Sequence, residues 1–337
     1  MKIINHFSKS VTVFFTVLLV WSCSEFANSP YSAISFDKKA SIPGNGRSSA
    51  VAFTINGKGY VGLGRDSLGK QLNDCWEYDP TTDSWTEKAS FPGIARVKAT
   101  ADTVNGKAYV GLGFNDSYGP SGIEYDFNAC LKDFWMFDPV SNSWTQKADY
   151  PSNTTDACVS FVFNNNIYVG SGFDNHTFKN EFWEYITEDD KWVKLNDFPG
   201  PARAAAVVCT NGEHVYFGTG YRTFNENDWW EYFPNTDTWN CIGNMPDDGR
   251  ENAVSFSINN RFYVSTGLYF QGFLTGGHFI SDILEYDAIR KVWYKRGNLP
   301  VARDNAIVFT IDGIGYIGFG ENETKVLNDF LSFNPDN

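Results

Sequence analysis

Ser84-Trp85-Thr86-Glu87-Lys88-Ala89-Ser90-Phe91-Pro92-Gly93-Ile94-Ala95-Arg96 is the stretch that decides the fold of this 337-residue chain. It returns with substitutions around Trp144, Trp192, Trp239 and Trp293, and each copy leads into an alternating apolar strand, a tight turn and a glycine-ended strand. A period of roughly 50 residues built from short strands means a ring of small sheets, since one such unit cannot bury its apolar face alone. The segment after the first copy of the motif shows the unit. Ala50-Val51-Ala52-Phe53-Thr54-Ile55 is β-rich, Asn56-Gly57 supplies two positive φ angles, and Tyr60-Val61-Gly62-Leu63-Gly64 runs back, which is a hairpin. The same turn chemistry stands at Asn105-Gly106, Asn164-Asn165, Asn211-Gly212, Asn259-Asn260 and Asp312-Gly313. Third strands open near Cys75, Phe134, Phe182, Trp229, Ile283 and Phe330, and a tryptophan opens the fourth. Six four-stranded antiparallel sheets follow.

The chain stops at Asn337, just past the third strand of the sixth repeat. Ser35 to Arg47 aligns without gaps on Ser84 to Arg96, with Phe36 standing where Trp85 stands. The N-terminus is therefore expected to supply the missing fourth strand, closing the ring and removing an edge open to other chains.

These spacings resemble the kelch repeat, whose marks are a glycine pair closing the second strand and a tyrosine followed seven positions later by tryptophan. Here Tyr78 pairs with Trp85, Phe137 with Trp144, Tyr185 with Trp192, Tyr232 with Trp239 and Tyr286 with Trp293. The glycine pair is altered to Gly-x-Gly, as in Gly62-x-Gly64 and Gly111-x-Gly113, and Ser265 replaces the first glycine of the fifth repeat. The resemblance implies an all-β, six-bladed kelch-type β-propeller over residues 32–337, its last blade completed by the N-terminal strand. It implies no single activity, because such propellers host enzymes, carbohydrate binders and protein-interaction modules.

Residues 1–22 have the proportions of a secretory signal, with Lys2 and Lys9 ahead of an apolar run from Val11 to Trp21 that is too short to span a bilayer. Leu19-Val20-Trp21-Ser22-Cys23 resembles the lipobox of bacterial lipoproteins, which implies lipidation at Cys23, a tether over 23–31 and a place in the cell envelope, the outer membrane in preference. The formal charge of −13 becomes more negative by two when Lys2 and Lys9 leave, which argues against nucleic acid as a partner. Cys75, Cys130, Cys158, Cys209 and Cys241 have no metal-ligand spacing and are odd in number, so at least one is free; Cys158 and Cys209 lie on inner strands of neighbouring repeats, where a disulfide is conceivable but buried thiols are favoured. No metal or cofactor is expected, and a ring of this size needs no second copy to bury its core.

In a four-stranded meander, the loops between second and third strands share a face with the connections between repeats. Two of these loops are long, Phe114 to Asp133 and Leu268 to Asp282, and long loops on a rigid ring are usual places for recognition. On the same face Arg47, Arg96, Arg203, Arg250 and Arg303 each enter an innermost strand, joined by Arg65 and Arg222 from loops, while the third repeat has Thr155-Asp156 instead. Two readings stay open. The arginines either hold an acidic ligand bidentately or pair with neighbouring acids and tie the blades together. Tyr118, Tyr125, Tyr269, Phe270, Phe273 and Phe279, with His278, bring aromatic groups to this face. Glu77, Glu184, Glu231 and Glu285 recur inside third strands and are expected to be structural. The expected function is non-catalytic binding of a glycan or envelope protein, with no catalytic residue assigned. The alternative is an enzyme resembling the kelch-type sialic acid mutarotases, which would use Arg96, Arg203 and Arg250 as a clamp and Asp156, Asp116 or Glu321 for proton transfer.

Overall fold

The computed structural model describes residues 26–115, 130–152, 156–174, 176–270 and 276–336. Every regular element is a strand. β1 (Phe36–Lys38) precedes blade 1, which comprises β2 (Val51–Ile55), β3 (Lys58–Gly62), β4 (Cys75–Asp79) and β5 (Ser84–Lys88). Blade 2 is β6 (Thr100–Val104), β7 (Lys107–Gly111), β8 (Phe134–Asp138) and β9 (Ser143–Lys147), and blade 3 is β10 (Val159–Phe163), β11 (Asn166–Gly170), β12 (Phe182–Ile186) and β13 (Lys191–Lys194). Blade 4 is β14 (Val207–Thr210), β15 (Val215–Gly218), β16 (Asp228–Phe233) and β17 (Thr238–Asn244). Blade 5 contains β18 (Val254–Ile258) and β19 (Arg261–Ser265), a small hairpin of β20 (Leu268–Phe270) with β21 (Gly277–Phe279), then β22 (Asp282–Asp287) and β23 (Val292–Asn298). Blade 6 is β24 (Ile307–Ile311), β25 (Ile314–Gly318) and β26 (Phe330–Phe333), with β1 as its outer strand. The register Phe36↔Phe333 to Lys38↔Leu331 closes the ring as the sequence alignment requires.

The inner strands alternate as their composition dictates. Val51, Phe53 and Ile55 are buried between blades, while Ala52 and Thr54, on the opposite side of the strand, are partly accessible. The Asn56-Gly57 turn has φ of 49° and 73°, so both central residues are left-handed and the two-residue loop matches the strand twist. Blade 4 departs from this expectation. Its Val215 pairs with Thr210 across a four-residue loop, where Asn211 Oδ1 accepts the Glu213 and His214 amides at 3.0 and 2.9 Å.

Aromatic layers fill the spaces between blades. Tyr60 stacks on Phe53 at 5.1 Å, and Trp85 Nε1 donates to Ala40 O at 2.8 Å, Trp144 to Ala89 O at 2.8 Å and Trp192 to Ala148 O at 2.9 Å. Each of these three tryptophans thus fastens its blade to the segment that completes the preceding one, whereas the Trp239 indole nitrogen is buried without a partner. The four recurring glutamates are structural groups: Glu77 and Glu184 accept tyrosine hydroxyls from Tyr60 and Tyr168, Glu231 meets Tyr216 and His214, and buried Glu285 pairs with Arg296.

Residues 26–31, the described part of the expected tether, lie on blade 5. Phe26 packs against the cluster containing Met245 and Trp293, the Ala27 amide donates to Trp293 O at 2.9 Å, and the Tyr31 ring sits 4.7 Å from both Arg261 and Arg296. Cys75, Cys130, Cys209 and Cys241 are free thiols, Cys241 being exposed, so Cys209 makes no disulfide with Cys158. Among the described residues no helix is long and apolar enough to cross a membrane. Residues 1–22 and Cys23 lie outside the described residues.

Candidate functional site: the mouth of the ring

The Gly-x-Gly ending of each second strand builds the rim. A Cβ on Gly62 would meet Asp74 O at 2.7 Å, so the first glycine allows the third strand's approach. The middle residue, Leu63 in blade 1, is left-handed at φ 59°, and its carbonyl turns to meet an arginine. Arg47 Nη1 donates to Leu63 O at 3.2 Å and its two η nitrogens grip Asp74 at 2.9 and 2.8 Å. Arg96 repeats the pattern with Leu112 O and Asp133, at 2.9, 2.7 and 2.8 Å, and its guanidinium lies 4.8 Å over Phe91. Arg203 takes Thr219 O and Asp228, Arg250 takes Thr266 O with Asp282 and Asp247, and Arg303 takes Phe319 O and Asp329.

These five side chains are at most 2% exposed. The expectation that they offer guanidinium groups to a ligand is therefore corrected. Each lies inside its own blade, where bidentate pairing and a backbone carbonyl consume the η nitrogens. Burial alone would raise the Asp133 carboxyl, but the Arg96 guanidinium outweighs it and holds the group below the usual carboxylate range. Blade 3 is the exception. Glu181 stands at the aspartate position and accepts the Ser152 hydroxyl. The loop arginines differ: Arg222 is half-exposed and paired with Glu226, and Arg65 belongs to the rim, its backbone bridging Ser48 and Gln71.

Two positions after each arginine, the chain forms a closed ring that the sequence did not reveal. Lys98 N–H donates to Ser49 O at 3.0 Å, Ala157 to Lys98 at 3.3 Å, Ala205 to Ala157 at 2.9 Å, Asn252 to Ala205 at 3.2 Å, Asn305 to Asn252 at 3.0 Å and Ser49 to Asn305 at 3.0 Å. All six residues are left-handed, with φ between 49° and 54°. That conformation costs roughly 1–2 kcal/mol for a residue with a Cβ, and a blade-to-blade hydrogen bond offsets it at every step. The ring is the floor of the mouth. Beneath it runs a narrow channel lined by Ala50, Ala99, Cys158, Ala206, Ala253 and Ala306.

Above the floor is a pocket of about 430 Å³ lined by Lys98, Asp156, Phe173, Phe178, Tyr221 and Glu251, with the backbone of Ala157, Ala204 and Ala205. Its aromatic wall is continuous: Phe173 and Phe178 lie 4.9 Å apart, Phe178 meets Tyr221 edge-on at 5.9 Å, and Phe270 leans on Tyr221 from the β20–β21 hairpin. Tyr269 and His278 face each other across that hairpin with rings 5.3 Å apart, above the wall rather than in it. Acids come from three blades: Asp156 and Glu251 share this lining, and Asp304 lies near Glu251 and Glu321. Burial raises the Asp156 and Glu251 carboxyls, in each case opposed by Lys98. Asp304, 5% exposed, is pushed up to about 7 by burial and then by Glu321, with Lys98 again opposing. The Asn305 amide donates to Asp304 Oδ2 at 3.0 Å, while Asp304 Oδ1 is buried without a partner.

Of the residues expected to transfer protons, Asp156 and Glu321 are thus at the mouth and Asp116 lies outside the described residues, as do Tyr118, Tyr125 and Phe273 of the expected aromatic groups. Lys98, Phe173, Phe178, Tyr221, Glu251 and Asp304 were not singled out by the sequence. The available signal was position: Lys98, Glu251 and Asp304 follow within two residues of a recurring arginine where the other repeats place unlike residues.

A kelch-motif profile matches residues 46–92, which span blade 1. The chain is an all-β six-bladed propeller whose first blade matches the kelch motif. Among solved structures it is similar to YjhT, with a TM-score of 0.74 and 19% identity over 88% of this chain and 97% of that one. At this identity the likeness shows the fold. No curated protein matches the chain.

Proposed function

We propose that the chain is a binding module of the bacterial cell envelope, lipid-anchored at Cys23, that takes a glycan in the mouth of the ring. The observation that carries this reading is the pocket itself, which brings three aromatic rings and two hydrogen-bond-accepting carboxylates into one lining. Apolar C–H faces of a sugar stack on aromatic rings while its hydroxyls donate to carboxylates, and a concave site with a few convergent polar groups is the usual form of a small-molecule site. With the arginines locked inside the blades, an acidic sugar has no clamp there. Thermal denaturation against neutral, amino and acidic sugars tests the reading, with Phe178→Ala as the control. Stabilisation by a sugar that is lost in Phe178→Ala supports it; no stabilisation by any sugar turns the search to a protein partner.

A second reading, an isomerase acting on a sugar ring, is favoured by one group. A carboxyl held near pH 7 at Asp304 can both give and take a proton under neutral conditions. Following anomer exchange of any bound sugar by NMR, with and without Asp304→Asn, separates it from binding alone.

A further inference from the structure

The pocket is built for a ligand that brings its own positive charge. Asp156 is 9% exposed and lines the pocket, yet no side chain among the described residues hydrogen-bonds its carboxylate. Glu251, only partly buried, lines the same pocket, and again no side chain among the described residues hydrogen-bonds its carboxylate. Lys98 is the one cation in that lining, and its field is shared by Asp156, Glu251 and Asp304. Among the described residues around the mouth, blade 1 brings Arg65, blade 2 Lys98 and blade 4 Arg222, the last paired with Glu226, against Asp156 from blade 3, Glu251 from blade 5 and Asp304 and Glu321 from blade 6. Carboxylates outnumber cations. Among the described residues no three acidic, histidine or cysteine side chains are grouped to hold a metal ion, so an organic cation fits better than an inorganic one. Phe173, Phe178 and Tyr221 in the same lining supply aromatic rings that attract an ammonium group.

We propose that the mouth binds a protonated amine, an amino sugar in preference to a neutral or acidic one, with the ammonium between Asp156 and Glu251 and the sugar ring against Phe173, Phe178 and Tyr221. The choice of an amino sugar rests on the glycan reading above, whereas the amine rests only on the charges and burial of the pocket. Asp156 has its own backbone amide and the field of Lys98 but no side-chain partner, so its ionised form remains costly in this buried place, and a charged donor entering the pocket lowers that cost. The elevated carboxyls of Asp156 and Glu251 agree in direction. Burial that now disfavours their ionised forms is what an entering cation would compensate.

Calorimetric titration of the full chain at pH 6 with glucosamine, N-acetylglucosamine, glucose and ethanolamine tests this. Glucosamine should bind at least about tenfold tighter than the two neutral sugars, as expected for a charge-assisted hydrogen bond, and Asp156→Asn and Glu251→Gln should each erase that preference. Unchanged melting curves show that the variants fold. Neutral sugars binding as tightly as glucosamine overturn the amine while leaving the glycan reading in place. Ethanolamine binding as well as glucosamine, with neutral sugars silent, upholds the amine and removes the glycan. No binding by any of the four overturns both.

Discussion

Two sets of charged residues lie within two positions of each other along the chain and have opposite fates. Arg47, Arg96, Arg203, Arg250 and Arg303 recur with the repeat, and each is buried against an aspartate that also recurs. The residues that follow them form two sets: Ser48, Val97, Asp156, Ala204, Glu251 and Asp304 each make a β-bridge, and Ser49, Lys98, Ala157, Ala205, Asn252 and Asn305 are each left-handed, so each set shares a backbone role but not one chemistry. What repeats six times or nearly so holds blades together. What breaks the repeat at an identical backbone position is free to serve a ligand, and in this ring three of the breaks, Lys98, Asp156 and Glu251, line one pocket with Phe173, Phe178 and Tyr221.

If the repeating parts are structural, removing them should damage the fold and leave no specific binding phenotype. The largest effect is expected from deleting residues 32–42. This removes β1 and leaves β26 as an open edge, so the product should aggregate; a monomeric deletion variant with a cooperative melt in size-exclusion and calorimetric measurements would contradict the closure. Next is Arg96→Ala, which strands Asp133 beside buried surface and should cost about 3 kcal/mol in urea denaturation.

The non-repeating acids should behave in the reverse manner. Asp304 has its folded value raised to about 7, and Asp102, buried on β6, to about 6 with Ser160 opposing, so between the ordinary carboxylate range and these values the folded chain binds more protons than the unfolded chain. Stability from these two groups is therefore present at low pH and lost as pH rises through about 6 to 7. The chain should melt lower at pH 8 than at pH 5.5, with a smaller difference in Asp304→Asn. The smallest stability effect belongs to Asp156→Asn and Glu251→Gln, within about 1 kcal/mol of the parent chain or slightly stabilising, because neither removes a side-chain hydrogen bond. A loss near 3 kcal/mol in urea denaturation would place these acids with the arginines.

The ring was legible in the sequence because its rules are local. Asn-Gly turns fix hairpins, the seven-residue step from tyrosine to tryptophan fixes the outer strand pair, and the copy of the motif at Ser35 to Arg47 announces closure. The destination of the arginines was less accessible, since the partner of Arg96 lies 37 positions later at Asp133. A clue was nonetheless present. The repeat without an arginine, at Thr155, also carries Glu181 in place of the aspartate found at Asp74, Asp133, Asp228, Asp282 and Asp329. The mouth pocket could not be assembled from spacing, because Lys98, Asp156 and Glu251 come from three blades and meet only once the ring is closed. The β20–β21 hairpin inside the expected loop, and the docking of Phe26 and Ala27 on blade 5, likewise depend on tertiary contacts.

Thermal denaturation of the parent chain, Arg96→Lys and Glu251→Gln, each with and without saturating glucosamine, tests the division most directly. Arg96→Lys should melt lower than the parent but rise by the same amount with the sugar, while Glu251→Gln should melt at or above the parent and gain little. A ligand-induced rise that vanishes in Arg96→Lys and survives intact in Glu251→Gln would contradict it and return the site to the arginines.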